Sequence, residues 1–142
     1  MIDLPPVDEW VNILLVDDRP ENLLALKAVL RCPKYRLVGV NSGEEALSYL
    51  LHNDCGFIFM DVQMPTLSGF ETAILIRGRE ISPNIYHFLS AVHREQDYVL
   101  RGLRTGALDY LTKPFDPDFL RLKVATLVEV YFAKNTGQKK SR

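Results

Sequence analysis

Five side chains in this 142-residue chain stand where chemistry could be done: Asp17, Asp18, Asp61, Ser90 and Lys113. Each closes, or directly follows, a short apolar run. Asp17 and Asp18 end NILLVD and the step after it, Asp61 ends GFIFMD, Ser90 ends YHFLS, and Lys113 follows DYLT. If those runs are parallel strands, their carboxyl ends open onto one crevice, at the point where strand order reverses. Three carboxylates gathered there repel one another, each close pair by on the order of 4 kcal/mol at about 4 Å and an effective dielectric near 20. Such a cluster persists through pKa shifts, nearby cations or a bound metal. An oxygen-only donor set favours a hard ion such as Mg²⁺ or Mn²⁺. A carboxylate cluster, a hard cation, a lysine and a hydroxyl suit phosphoryl transfer, where positioning and charge stabilisation supply most of the rate. Asp61 stands alone at its strand end facing the Asp17–Asp18 pair, so it is the expected nucleophile, giving an aspartyl phosphate.

Taken singly, each of these residues has a plainer reading. An Asp at a strand end usually belongs to a turn or cap, a Lys before Pro to a solvated loop, and a Ser at a strand end is common. The four strand ends in this order carry the argument.

The elements that must position them alternate regularly. Strands are expected at Asn12–Asp17, Tyr35–Val40, Gly56–Asp61, Tyr86–Ser90 and Asp109–Thr112, three of them near-continuous apolar runs suited to strands covered on both faces. Asp18 followed by Pro20 reads as a helix N-cap, with Leu23, Leu26 and Leu30 on one face. Ser42 with Glu45, and Ser68 with Glu71, are capping boxes for the next two helices. A fourth helix is expected from about Gln96 to Thr105, with Val99 and Leu103 inward, and a fifth from Asp116–Pro117 with Leu120, Val124, Leu127, Val128 and Tyr131 on one stripe. Alternation of this kind predicts βαβ units around a parallel sheet and suits an α/β doubly wound (βα)₅ domain of strand order 2-1-3-4-5, an order that pattern alone does not fix. Residues 12–132 form that domain in this reading, with an N-terminal linker over 1–11 and a flexible tail over 133–142.

Composition excludes several classes. Hydrophobic content of 47% and charged content of 25% are globular values. No run approaches the roughly 20 apolar residues of a membrane span, and the acidic, proline-bearing start does not read as a signal peptide. A cytoplasmic protein without membrane contact is expected. A net charge of −1 offers no nucleic-acid footprint. Cys32 and Cys55 cannot make a disulfide framework. His52, His87 and His93 show no metal-ligand spacing.

ILLVDDRPENLLALKAVL, SGEEAL, FMDVQMPTLSGFE, LSA and GALDYLTKPF together resemble the receiver domain of two-component response regulators and hybrid sensor histidine kinases, over about residues 12–131. The resemblance implies a flavodoxin-like fold and a phosphorelay role. Asp61 would accept a phosphoryl group from a histidine kinase or a histidine phosphotransfer domain. Asp18, Asp61 and the backbone carbonyl of Gln63 would hold Mg²⁺ directly, and Asp17 through water. Lys113 and Ser90 would bind the phosphoryl oxygens. Ser90 and Tyr110 would form the switch, Tyr110 turning inward. Pro65 and Gly69 would shape the loop after the acceptor, and Pro114 would follow a cis peptide bond. The face built from the fourth helix, fifth strand and fifth helix would respond, and a phosphorylation-dependent homodimer is compatible with it. The same resemblance makes this a switch that assists its own phosphotransfer and autodephosphorylation rather than an enzyme, with a fused kinase domain in a longer protein open.

The sequence departs from the family pattern in two places. Ser replaces the commoner Thr at position 90, and Ile85-Tyr86-His87 makes the start of the fourth strand polar and bulky. Two other classes compete. A haloacid-dehalogenase-type phosphatase wants D-x-D after the first strand, where this chain has Asp17-Asp18-Arg19. A pseudo-receiver, a pure interaction module, would lack an acidic pair, acceptor or lysine, and all three are present.

Overall fold

The computed structural model describes residues 10–78, 86–92, 94–114 and 116–140. Ile85, His93 and Phe115, and most of the expected N-terminal linker, lie outside the described residues. Five strands, β1 (Val11–Val16), β2 (Tyr35–Val40), β3 (Phe57–Asp61), β4 (Tyr86–Ala91) and β5 (Asp109–Thr112), alternate with five helices. These are α1 (Pro20–Val29), α2 (Gly43–His52), α3 (Gly69–Gly78), α4 (Gln96–Arg104) and α5 (Pro117–Lys140). The sheet is wholly parallel, as the alternation predicts, and its order is β2-β1-β3-β4-β5, the arrangement that the alternation suits. Every residue of β3 is buried, whereas the edge strand β2 buries only Val40 fully.

Helices cover both faces, and two apolar layers result. Ile13, Leu15, Phe57, Phe59 and Phe88 meet Leu23 and Leu26 of α1 and Leu120, Val124 and Val128 of α5. The alternate side chains Leu14, Val16, Ile58, Met60 and Leu89 meet α2 and α3, with Tyr98 and Val99 of α4 packed against them. The period of two along a strand sends neighbours to opposite layers. This is why the apolar runs are continuous rather than alternating.

Local signals explain most helix starts. Ser68 and Glu71 exchange bonds: the Glu71 amide donates to Ser68 Oγ at 3.1 Å and the Ser68 amide to Glu71 Oε1 at 2.9 Å. Ser42 Oγ accepts from the Glu45 amide at 3.0 Å, but the Glu45 carboxylate turns to the Asn41 amide. Asp116 Oδ1 accepts from the Asp118 amide at 2.8 Å at the head of α5.

Four expectations are corrected. The N-cap of α1 is Arg19, with no side-chain cap, and Asp18 does not cap it. Pro20 already supplies the first helical position and has no N–H to satisfy, so the helix starts one residue later. Leu103 is 42% exposed, because Gly102 and Thr105 take the inward positions of α4. β1 begins at Val11, whose amide bonds Lys34 O at 2.9 Å, one residue before the expected strand start at Asn12. The backbone of α5 stays helical to Lys140, past the boundary placed at residue 132. Once a helix is nucleated, each further residue adds a bond at little cost, so polar composition alone does not stop it.

Candidate functional site

At the carboxyl ends of the strands the sheet delivers the expected side chains to one place. Asp17 follows β1 and is 2% exposed, and Asp61 ends β3 at 8% exposed. Oxygens from Asp17, Asp18 and Asp61 all lie within 4.8 Å of one another. Asp61 pairs in register with Ser90 on β4, itself 1% exposed. The Val62 amide bonds Ser90 O at 2.9 Å, tying the two strand ends together. The Lys113 amide bonds Ala91 O at 2.7 Å. Its ammonium reaches 3.6 Å from Asp17 Oδ2 and 3.5 Å from Asp61 Oδ1, so one cation bridges two carboxylates that would otherwise repel. The Lys113–Pro114 peptide bond is cis.

Why the loop after Asp61 takes its shape is visible at Gly69. A Cβ there would stand 2.4 Å from Asp61 O and 2.7 Å from Val62 Cα, and the Gly69 amide bonds Val62 O at 2.8 Å. Only a residue without a side chain lets α3 begin this close to the acceptor's own backbone. Thr66, next to Pro65 in the same loop, holds φ at +70°, a costly conformation for a β-branched residue. The Gln63 amide points to Asp61 Oδ1 at 3.4 Å.

A cleft of about 280 Å³ opens over the cluster, lined by Asp18, Arg19, Asn22, Asp61, Gln63, Val92 and Lys113. Burial pushes the Asp61 carboxyl above the ordinary range, and the Asp17 carboxylate adds to that rise, while Lys113 opposes it. An ion of higher charge than lysine would relieve both causes, and the donors present are the hard oxygens that Mg²⁺ takes. The residues therefore fit such an ion. Asp17, Asp18, Asp61, Ser90 and Lys113 are brought together as expected. Tyr110 lies elsewhere: it is 8% exposed, packed in the apolar layer against α4, where a Cβ on Gly102 would meet its Cδ2 at 2.6 Å.

Two features went unread in the sequence. Asn22 donates its side-chain amide to both oxygens of Asp17, at 3.3 and 3.2 Å. Its position in the first turn of a helix that starts beside Asp17 was a usable signal. His87, which makes β4 look polar, is 5% exposed, and its Nε2 lies 3.2 Å from Thr105 Oγ1, which donates to Gly102 O at 2.6 Å. The polar strand start is thus an internal tie between β4 and the end of α4, and no sequence spacing announces it. Burial, then the nearby Arg77, drive the imidazole's pKa down to about 4, so it stays neutral.

Comparison with known proteins agrees with this geometry. The family model for the response regulator receiver domain matches residues 13–125. The chain is 37% identical over 131 residues to the transcriptional regulatory protein YvrH of Bacillus subtilis, covering 91% of this chain and 54% of that protein. It is 36% identical over 106 residues to the response regulator GtcR of Aneurinibacillus migulanus, covering 75% of this chain and 43% of that protein. The chain thus spans about half the length of these relatives. Among solved structures, it resembles the BeF₃-activated DrrB receiver domain at 29% identity, with a TM-score of 0.76 over 84% of this chain and 98% of that one. It also resembles the signal receiver domain of a signal transduction histidine kinase from Syntrophus aciditrophicus, at 27% identity and a TM-score of 0.74 over 87% of this chain and 91% of that one.

Proposed function

Since this chain belongs to the response regulator receiver domain family, a family of signalling domains, we propose that it is a Mg²⁺-dependent phosphoacceptor of a two-component phosphorelay, with Asp61 as the acceptor. The observation that carries this reading is Lys113 held 3.5 Å from Asp61 and 3.6 Å from Asp17 at the rim of the three-carboxylate cluster.

Asp61 attacks phosphorus with a carboxylate oxygen. The bond from phosphorus to the donor imidazole nitrogen breaks, and its electron pair returns to the ring of a histidine kinase or histidine phosphotransfer domain. Lys113 exchanges its contact with Asp61 for one with the phosphoryl oxygens. Asp18, Asp61 and the backbone carbonyl of Gln63 would hold Mg²⁺ directly and Asp17 through water, and the ion supplies neutralisation of the charge that builds on the oxygens. Ser90, at the end of the neighbouring strand, donates its hydroxyl to the product. Gln63 and Val92 flank the cleft and set how readily water reaches the aspartyl phosphate, and hence autodephosphorylation.

The face formed by α4, β5 and α5 reads the change. Phosphorylation adds negative charge and strong acceptor oxygens. Moving a two-state equilibrium from 1:99 to 99:1 needs about 5.5 kcal/mol of differential interaction, within reach of a few charge-assisted hydrogen bonds. Tyr110 is already buried against Gly102, so the response here is a shift of α4 over a seated ring. Among the described residues no helix is long and apolar enough to cross a membrane, and we place the domain in the cytoplasm. Pro65 and Gly69 keep the acceptor loop tight, and Pro114 sets the turn after Lys113.

Intact-protein mass after incubation with a small acyl phosphate and Mg²⁺ tests the reading. One added phosphoryl group on the wild type, absent from Asp61→Asn and from an EDTA control, is expected. A folded, Mg²⁺-loaded wild type that gains no mass from either the acyl phosphate or a phosphorylated histidine donor overturns it in favour of a pseudo-receiver. Ser90→Ala is expected to accept phosphate but to signal poorly to its partner, and an unchanged partner response would remove Ser90 from the switch.

A further inference from the structure

An ionised carboxylate offers about four lone-pair positions, and those of Asp17 are all engaged. Oδ1 accepts from the Arg19 amide at 3.0 Å and from Asn22 Nδ2 at 3.3 Å. Oδ2 accepts from Asn22 Nδ2 at 3.2 Å and faces the Lys113 ammonium at 3.6 Å. With a carboxylate as neighbour, the Asn22 side chain can present only its NH₂ group there. Two of these donors are fixed to the first turn of α1, since the Asn22 amide itself bonds Arg19 O at 3.0 Å. Lys113, a flexible chain, is the one that can leave.

We propose that Asn22 is a positioning residue of the metal site: it clamps Asp17 from the α1 side, filling its lone pairs, so that Asp18 and Asp61 take the direct coordination positions and Asp17 holds its place when Lys113 swings to the phosphoryl group. The inference rests on the reading of the cluster as a Mg²⁺ site. Partners that orient a metal's carboxylates generally change affinity by 10–100-fold when removed, and Asn22 lies at the low end of that range because Arg19 still holds Oδ1.

The test is the Mg²⁺ dissociation constant of the unphosphorylated protein, from amide shifts in an NMR titration. Asn22→Ala is expected to weaken binding about tenfold with the amide spectrum elsewhere unchanged. Asn22→Gln, which keeps the NH₂ group on a longer arm, is expected to recover part of the loss. Leu24→Ala, on the exposed side of the same helix, is expected to bind as the wild type. An Asn22→Ala protein with wild-type affinity overturns the positioning role alone. A loss that Asn22→Gln does not recover, accompanied by spectral changes throughout α1, overturns it in favour of a purely structural asparagine. A folded wild type that fails to bind Mg²⁺ overturns both this inference and the metal reading beneath it.

Discussion

Two corners of this domain hold buried polar groups in opposite ways. At the β1–α1 corner, Asp17, Asp61, Asn22 and Lys113 form a web of charged and charge-assisted contacts, with the Arg19 amide and Asn22 holding Asp17 from the start of α1. At the β4–α4 corner the contacts are neutral or apolar: His87 pairs with Thr105, the Tyr110 ring sits on Gly102, and Tyr98 of α4 packs on Phe70. Leu100 and Leu103 of α4 are 40% and 42% exposed, and Tyr98 and Val99 supply its apolar contact with the layer beneath. Charge-assisted bonds are about twice as strong as neutral ones. The contrast bears on where motion is cheapest: under the proposed switch, the acidic corner stays while its charge changes, and the α4 corner gives.

Substitutions that crowd each corner break the comparison most strongly. Gly69→Ala forces a Cβ onto the backbone of Asp61, and should cost about 3 kcal/mol in urea unfolding, since backbone cannot yield. Gly102→Ala meets the edges of the Tyr110 and Phe70 rings, at 2.6 and 3.3 Å, side chains rather than backbone. It should cost about 1–2 kcal/mol and displace amide signals along α4 while leaving Asp61 phosphorylation intact. Equal costs at the two glycines would remove the distinction between a fixed and a yielding corner.

Titration sharpens it further. The folded-state pKa of His87 is lowered to about 4 from 6.5, so the stability it contributes is present above about pH 6.5. It is lost as pH falls toward 4, because only the unfolded chain takes up the proton. His87→Leu should flatten that acid-side loss, at a cost of about 1 kcal/mol at neutral pH, since Thr105 keeps its bond to Gly102. The sign is reversed at the other corner. The carboxyl of Asp61 is raised, first by burial, so its contribution is present below its unfolded pKa and lost as pH rises through the folded value. Without metal, Asp61→Asn should therefore unfold at a higher temperature than wild type at neutral pH, the smallest effect of the four, and saturating Mg²⁺ should shrink the gap. A midpoint at or below that of wild type would count against strained carboxylates.

The same contrast marks what the sequence makes legible. Strand ends are readable because apolar runs stop at charged residues, so Asp17, Asp61 and Lys113 could be placed together from spacing and topology. The capping boxes at Ser42 and Ser68 were readable because their partners lie three residues away. The clamp of Asn22 on Asp17 had one local signal, its place in the first turn of α1, whereas the tie of His87 to Thr105 depends on how a helix settles against the sheet, which no local pattern encodes. The misplaced cap at Asp18 has a different origin. Pro20 supplies the first helical position, which puts Arg19 rather than Asp18 at the cap, and Asp18 instead joins the acidic cluster.

In the proposed switch, phosphorylation chemistry at a fixed acidic corner is read out by a yielding α4 corner. Amide chemical shifts of the Mg²⁺-loaded protein before and after beryllofluoride, a mimic of the aspartyl phosphate, test it most directly. Large shifts are expected at Asp61, Ser90 and Lys113 that extend to Gly102, Thr105 and Tyr110, with α2 unmoved. Shifts confined to the strand ends, with α4 unchanged in a protein that has bound the mimic, would contradict it.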